Sequence, residues 1–229
     1  MFFVGISLAL IPAGAMTFLV EERERSLKHM QLISGMSLLA YWISNIVFDV
    51  AKGLITSAAV LGFMETYGVL YPNVWLSVLL YPIAVTPFTY ATSFMFEKEA
   101  LAQTFTIFLH FVFGGVLPIV TVILQLIEST YDVGDALHWA LKIMPSFCTA
   151  NTLAFGSSRD TILRERPDLE TDSDNDIAWN GGNVVMLLAH TFFWIIVVCL
   201  IELGVTSSIS EWIISMVNKN EVQDNPNDN

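Results

Sequence analysis

Residues 19–42 read LVEERERSLKHMQLISGMSLLAYW and place a short charged stretch between two apolar ones. Met1–Val20 contains no charged residue, six charged residues fall between Glu21 and Lys28, and the chain is apolar again from Leu39 to Phe48. Charge-free runs of this length are uncommon in soluble domains. The pattern predicts a polar connection between two membrane spans. We call residues 21–35 the charged segment.

Further charge-free runs follow at residues 66–96, 100–127 and 177–201. A helix needs about 20 predominantly apolar residues to cross the hydrocarbon core of a bilayer. The sequence therefore predicts an all-α, polytopic helical membrane protein with about five spans, a short amphipathic helix at one surface and a helical pair at the other. The predicted spans cover residues 1–20, 39–63, 74–96, 103–127 and 183–205. They form one membrane domain over 1–217, and residues 218–229 are expected to be a polar linker or tail.

The charge distribution excludes several classes of function. The formal net charge is −12, and the acidic residues concentrate in the connection around residues 165–176 and in the tail at 221–228. Such runs are typical of solvated loops, and no basic stripe suited to nucleic acid is present. Cys148 and Cys199 lack the spacing of a zinc site. We therefore expect no catalytic site, no metal site and no cofactor on this chain, and no nucleic-acid partner.

Basic residues near span ends predict the orientation, because cytoplasmic loops of membrane proteins are enriched in Lys and Arg. Arg23, Arg25, Lys28, Lys98 and Lys219 fall on one side of the predicted topology. That side is assigned to the cytoplasm, and it includes the C-terminus. An odd number of spans places the N-terminus opposite.

The long connection 128–182 then lies on the exoplasmic side. In its first half, apolar residues recur every three or four positions at Val133, Leu137, Leu141 and Met144, which marks one helical face. Pro145 interrupts this pattern. A pair of short helices at the membrane interface is predicted there, followed by a solvated loop.

The charged segment has the features of a short amphipathic cytoplasmic helix. Glu21–Arg25 and Glu24–Lys28 have the favourable order for ion pairs four residues apart, and Leu27, Met30 and Ile33 share a face. Gly35 is a suitable stop and Ser37 a suitable cap for the next span. The segment is either an elbow between two spans or a surface on which a cytoplasmic partner acts. Its candidate coupling residues are Glu21, Glu22, Arg23, Glu24, Arg25, Lys28 and His29.

Polar residues inside the second span are a second candidate site. Asp49 and Lys52 are three positions apart and share a helical face with Asn45. Charged groups at membrane depth are costly and commonly functional, although an ion pair in which each group offsets the burial of the other is the structural alternative.

The fourth predicted span contains Gly114, Gly115 and Pro118, which permit either a bend, including a moving hinge, or a close helix contact. Aromatic residues of the third span are consistent with a lipid path or with lipid-facing packing. These aromatics are Phe88, Tyr90, Phe94 and Phe96.

The stretch EERERSLKHMQLISGMSLLAYWISNIVFDV resembles the membrane domains of ABC transporters of subfamily A, the lipid exporters, which carry the ABC-2 type transmembrane domain. That family has a Glu-Arg-containing segment, then KH-x-Q-x-x-SG, then YW-x-x-N-x-x-x-D. The matching residues here are Lys28, His29, Gln31, Ser34, Gly35, Tyr41, Trp42, Asn45 and Asp49. The likeness continues through VTPFTYATSFMFEKEALAQ, FGGVLPIVTVILQLI and IMPSFCTANTLAFG.

The resemblance implies that the charged segment is a coupling element that meets a nucleotide-binding domain. It also implies that residues 128–182 hold exoplasmic re-entrant helices, and that a lipid substrate and a second transmembrane half are partners. The chain contains no G-x-x-x-x-G-K-[ST] motif, so ATP and Mg are expected on a nucleotide-binding domain outside it. The family's first span and large extracellular domain are also missing, and the chain is interpreted as a fragment.

Two other classes of function stay open. An ATP-independent secondary transporter or scramblase would be expected to carry several ionisable groups near the middle of the membrane. Asp49 and Lys52 are essentially all that this chain offers. A truncated membrane fragment that transports nothing is the other alternative.

Overall fold

The computed structural model describes residues 2–71, 74–165 and 182–204, and every regular element in these ranges is helical. The helices are α1 (Phe2–Glu24), α2 (Leu27–Ile33), α3 (Leu38–Thr66), α4 (Val74–Ser93), α5 (Glu99–Phe111), α6 (Leu117–Leu126), α7 (Tyr131–Leu141), α8 (Pro145–Glu165) and α9 (Gly182–Glu202). A π-helical turn, Val112–Val116, joins α5 to α6, and a 3₁₀ turn, Glu128–Thr130, precedes α7. The all-helical prediction is confirmed.

Within the described residues, four helical stretches are long and apolar enough to cross a membrane. They are Leu38–Thr66, Val74–Ser93, Glu99–Leu126 and Gly182–Glu202. These four correspond to the second to fifth predicted spans, with ends that differ by a few residues. The first predicted span, 1–20, falls on the 23-residue α1 and is not among the four.

Helix α4 is the centre of the bundle. It packs against α1, α3, α8 and α9, while α1 also packs against α5. Its apolar contacts build the largest core cluster, which includes Val78, Tyr81 and Val85 of α4 with Ile11 of α1 and Leu153 of α8. The sequence pattern explains this position, because α4 contains no charged residue and is buried on most of its surface.

Phe88 and Tyr90 belong to this buried helix, so they do not form a lipid-facing surface. Both side chains are buried within the bundle. The lipid-facing alternative for these two aromatics is therefore wrong.

The packing of α3 on α4 depends on a glycine. A Cβ atom added at Gly53 would lie 2.5 Å from the Cβ of Pro82, closer than packed carbon atoms approach. The absence of a side chain at Gly53 therefore lets the two helices meet at this point.

The charged segment is divided differently from the prediction of one helix over 21–35. Glu21–Glu24 continue α1, and α2 begins only at Leu27. Between them Ser26 has a φ of +57°, a left-handed conformation that breaks a helix. The two predicted end signals are confirmed: Gly35 has a φ of +102°, and the Ser37 side chain caps α3 by accepting from the Ala40 N–H at 3.2 Å.

The glycine pair of the fourth predicted span lies in the π-helical turn. Gly114 and Gly115 are buried, and Pro118 lies in the first turn of α6. A Cβ atom at Gly114 would lie 3.4 Å from the Cβ of Ser146, at the start of α8. The structure therefore shows the close helix contact, and the hinge stays a prediction.

The predicted helical pair of the connection 128–182 corresponds to α7 and α8, but α8 is long, at 21 residues. It begins at Pro145, a residue favoured at the first helical position because its missing N–H needs no partner there. The buried residues of α7 are Gly134 and His138, whereas Val133 is exposed. Of the periodic apolar residues, Leu137, Leu141 and Met144 are half-buried beside this face, and Val133 lies outside it.

Polar side chains fix α8 against α4 and α9. Asn183 Nδ2 donates to Asn151 Oδ1 at 2.9 Å and to Thr152 Oγ1 at 3.2 Å, and Ser77 Oγ donates to Thr152 Oγ1 at 3.2 Å. Hydrogen bonds between small polar residues are a common means of joining membrane helices.

Some predictions fall outside the described residues. These are the solvated loop after α8, the polar tail 218–229 and the C-terminal Lys219.

Candidate functional site

The charged segment and the helix ends that it touches form the candidate site, and Glu22 is its buried anchor. Tyr41 of α3 donates its hydroxyl to Glu22 Oε2 at 2.7 Å, and Gln31 of α2 donates to Glu22 Oε1 at 3.1 Å. Glu22 is buried, and a buried carboxylate requires such donors. This one side chain therefore joins α1 to α2 and α3.

Arg23 contacts the far end of α4. Its guanidinium donates to the backbone carbonyl of Ser93, the last residue of α4, and its Cζ lies 4.9 Å from the centroid of the Phe94 ring. A cation near the last carbonyls of a helix is favourable, because these carbonyls carry partial negative charge and have no partner within the helix.

Glu24 contacts the beginning of α5. Lys98 Nζ donates to Glu24 Oε1 at 2.8 Å, and the backbone N–H of Glu99 donates to Glu24 Oε2 at 3.1 Å. The hydrogen bond from Lys98 is the main reason why the pKa of Glu24 is lowered and the pKa of Lys98 is raised.

Lys28 contacts the end of α9. Its Nζ lies 2.6 Å from Glu202 Oε1, and the pair is largely shielded, with 14% and 15% of the side chains exposed. The same Nζ lies 5.1 Å from the ring centroid of Tyr41 and 4.8 Å from that of Trp42, within cation–π range. The predicted Glu24–Lys28 ion pair is therefore wrong: the break at Ser26 separates the two side chains, and each finds a partner on another helix.

The remaining candidates of the charged segment lie at its surface. Arg25 and Glu21 form the predicted ion pair, at 2.9 Å, with 64% of the Arg25 side chain exposed. His29 is exposed. Leu27, Met30 and Ile33, the apolar face of α2, are also exposed, so this face is available to a partner.

Together these side chains bring the charged segment into contact with four other helices. Glu22 reaches α3, Arg23 reaches the end of α4, Glu24 reaches the start of α5, and Lys28 reaches the end of α9. Each of these contacts is a hydrogen bond or an ion pair, so side-chain polar contacts join the charged segment to all four helices.

The polar residues within α3 form a separate group. Lys52 Nζ lies 2.7 Å from Asp49 Oδ1, and Tyr90 of α4 donates its hydroxyl to Asp49 Oδ2 at 2.7 Å. Asp49 is buried, while 45% of the Lys52 side chain is exposed. Asn45 contributes no hydrogen bond here, since its Nδ2 has no acceptor among the described residues.

The partners of these candidates could not be found from spacing along the chain. Tyr41, Ser93, Tyr90 and Glu202 lie on other helices, and Lys98 directly precedes α5. The available signals were weak. Tyr41 belongs to the YW motif, and Glu202 is an isolated charge at the end of an apolar run.

Comparison with known proteins identifies the class. The model of the family described as ABC-2 family transporter protein matches residues 1–200, and the chain belongs to this family. It is thus the membrane part of an ABC transporter, and its apolar helices make it an integral membrane protein.

The curated relatives belong to subfamily A. The chain is 30% identical over 155 residues to human ATP-binding cassette sub-family A member 2, an alignment that covers 63% of this chain and 6% of the relative. It is 25% identical over 223 residues to human retinal-specific phospholipid-transporting ATPase ABCA4, an alignment that covers 92% of this chain and 10% of the relative. It is 28% identical over 159 residues to human phospholipid-transporting ATPase ABCA7, an alignment that covers 66% of this chain and 7% of the relative. The chain thus spans a tenth or less of the length of these relatives.

Proposed function

We propose that this chain is the membrane portion of an ATP-driven exporter of membrane lipids, in which ATP is hydrolysed on a nucleotide-binding domain outside this chain. Two of the similar proteins are named as phospholipid-transporting ATPases, which supports a lipid substrate. ATP and Mg would bind the nucleotide-binding domain, and a second transmembrane half would complete the transporter.

The observation that carries the proposal is the distribution of the charged segment over α3, α4, α5 and α9. A nucleotide-binding domain that presses on the exposed apolar face of α2 would move Glu22, Arg23, Glu24 and Lys28 together. Because their partners lie at span ends, this movement would change the positions of the spans relative to one another. In this proposal the charged segment faces the cytoplasm, and α9 ends on the same side.

A lipid-movement assay tests this proposal against its rivals. The full-length protein is reconstituted into phosphatidylcholine vesicles with a fluorescent phospholipid, and the change of leaflet is followed with ATP, without ATP and with an imposed proton or sodium gradient. The proposal predicts movement only with ATP and Mg. Movement without ATP would identify a scramblase. Movement that requires the imposed gradient would identify a secondary transporter. The absence of movement in every condition would identify a membrane protein that does not transport lipid.

The charged residues of α3 are assigned a structural role in this proposal. Asp49 is bonded to both Lys52 and Tyr90, so its carboxylate is engaged within the bundle. A coupling-ion site would instead require a cluster of ionisable groups.

A further inference from the structure

An apolar groove separates α3 from α9 at the end of the bundle where the charged segment lies. Both helices pack on α4, and α4 forms the floor between them. The groove has a volume of about 320 Å³, within the range of about 300–1,000 Å³ that is usual for small-molecule sites. Its walls include Trp42 and Ile46 of α3 and Val198 and Cys199 of α9, with Pro87 on the floor.

The surroundings of the groove are apolar as well. Leu39 and Ile195, which line the groove, and the neighbouring Ile43 and Leu200 are exposed on the surface of the described chain. Both helices are candidate membrane spans, so these side chains face hydrocarbon. The groove therefore opens to the acyl chains of the bilayer.

The mouth of the groove carries charge. Glu202 is one of its lining residues, and Lys28 Nζ is held 2.6 Å from the Glu202 carboxylate and 4.8 Å from the Trp42 ring centroid. Trp42 thus contacts the lysine and lines the groove. An apolar channel that ends at a Lys–Glu ion pair is complementary to a molecule with a long hydrocarbon tail and a zwitterionic head.

We infer that the groove binds one acyl chain of a bilayer phospholipid, with the phosphate of that lipid beside Lys28. The inference rests on the proposed function, because it names a place where the lipid is held. Lys28 belongs to the charged segment, so movement of α2 that separates Lys28 from Glu202 would change the charge that the phosphate meets. The Lys28–Glu202 ion pair would in this way link movement of the charged segment to binding of the lipid in the groove.

Photolabelling tests this site directly. The full-length protein is reconstituted into phosphatidylcholine vesicles that contain a phosphatidylcholine with a diazirine midway along one acyl chain. It is irradiated without nucleotide, and adducts are mapped by mass spectrometry. We expect several-fold more adducts on the groove walls around Ile46 and Cys199 than on Ile196, which is exposed on α9 but does not line the groove.

Matched substitutions fill the groove or leave it open. Cys199→Trp and Leu39→Trp place a large ring in the groove from opposite walls at exposed positions, so at least one of them is expected to fold. Each should remove the groove adducts, whereas Ile196→Trp should retain them. Lys28→Gln should lower groove labelling several-fold, whereas Lys98→Gln, which removes the other paired lysine near the charged segment, should not.

Two results would overturn the inference. One is equal labelling of all lipid-facing positions with no loss in Cys199→Trp, which would mean ordinary boundary lipid. The other is crosslinking of a photoreactive residue at Leu39 to residues 205–229 instead of lipid, which would mean that the chain itself fills the groove. Because the labelling is done without ATP, either result is distinguishable from a failure of ATP-driven lipid movement.

Discussion

The carboxylate of Glu24 accepts a hydrogen bond from the backbone N–H of Glu99 at 3.1 Å, so the last residue of α1 caps the first turn of α5. The first N–H groups of a helix have no partner within it and carry partial positive charge. A carboxylate supplied by another helix satisfies one of them. The helices α1 and α5, far apart in sequence, are thereby joined end to end at the charged segment.

This cap should depend on pH, because the pKa of Glu24 is lowered by Lys98 and by the Glu99 N–H. The contact is complete above the ordinary carboxyl pKa of about 4.3 and is lost as the pH falls through the lowered pKa. A spin label at the exposed Ala100 should therefore keep constant mobility from about pH 5 to 8 and become more mobile only in stronger acid. In the Glu24→Gln variant this increase in mobility at low pH should be absent. If the increase persists in Glu24→Gln, it would be caused by protonation of Glu97 or Glu99 and not of Glu24.

Tyr41→Phe should destabilise the protein, because it removes the hydroxyl that donates to the buried Glu22. Leaving a buried acceptor short of a donor costs about 1–3 kcal/mol. Thermal unfolding of the detergent-solubilised protein measures the effect. Tyr67→Phe, at an exposed tyrosine at the end of α3, is the matched control and should leave the melting temperature unchanged. Equal effects of the two substitutions would show that Tyr41 does not anchor Glu22.

Gly53→Ala should be strongly unfavourable, because the added Cβ would lie 2.5 Å from Pro82 Cβ. The proline ring cannot rotate away, and overpacking of this kind costs about 1–3 kcal/mol or more. Gly62→Ala in the same helix is the control, since its added Cβ meets nothing within 4 Å. It should stabilise α3 by up to about 1 kcal/mol through helix propensity. Chemical denaturation midpoints of the two variants should therefore move in opposite directions, and a similar loss in both would contradict the close packing of α3 on α4.

The Asp49–Lys52 pair should show energetic coupling in a double-mutant cycle. Asp49→Asn leaves Lys52 without its counter-charge, Lys52→Met leaves the buried Asp49 with only Tyr90, and the double variant leaves no charge. We expect a coupling energy of about 0.5–3 kcal/mol, measured from unfolding midpoints. The exposed Glu21–Arg25 pair should give only about 0.3–0.5 kcal/mol. A value for Asp49–Lys52 no larger than this would contradict the structural role of the pair.

Local features of this chain could be predicted from the sequence. The Ser37 cap, the stop at Gly35 and the Glu21–Arg25 pair each depend on residues within four positions of one another. Four of the five predicted spans correspond to helices long and apolar enough to cross a membrane, because the near-absence of charge over about 20 residues is a strong constraint in lipid.

The partners of Glu24 and Lys28 could not be predicted in the same way. Their spacing fits an ion pair on one helix, but Ser26 breaks the helix between them. Lys98 and Glu202 then become the neighbours, because α5 packs on α1 and α9 packs on α4. The buried Tyr90–Asp49 bond was missed for a similar reason, because it depends on how α4 faces α3.

The most direct test of the coupling role compares two arginines of the charged segment that lie two positions apart. Arg23 binds the end of α4, whereas Arg25 is exposed and, among the described residues, its salt bridge is to Glu21. Lipid-stimulated ATP hydrolysis by the full-length protein is measured in vesicles for Arg23→Ala and Arg25→Ala, with thermal unfolding as a check of folding. We predict that Arg23→Ala abolishes the stimulation by lipid while basal hydrolysis persists, and that Arg25→Ala behaves like the wild type. Full stimulation in a folded Arg23→Ala protein would contradict the account and leave the charged segment as an elbow between two spans.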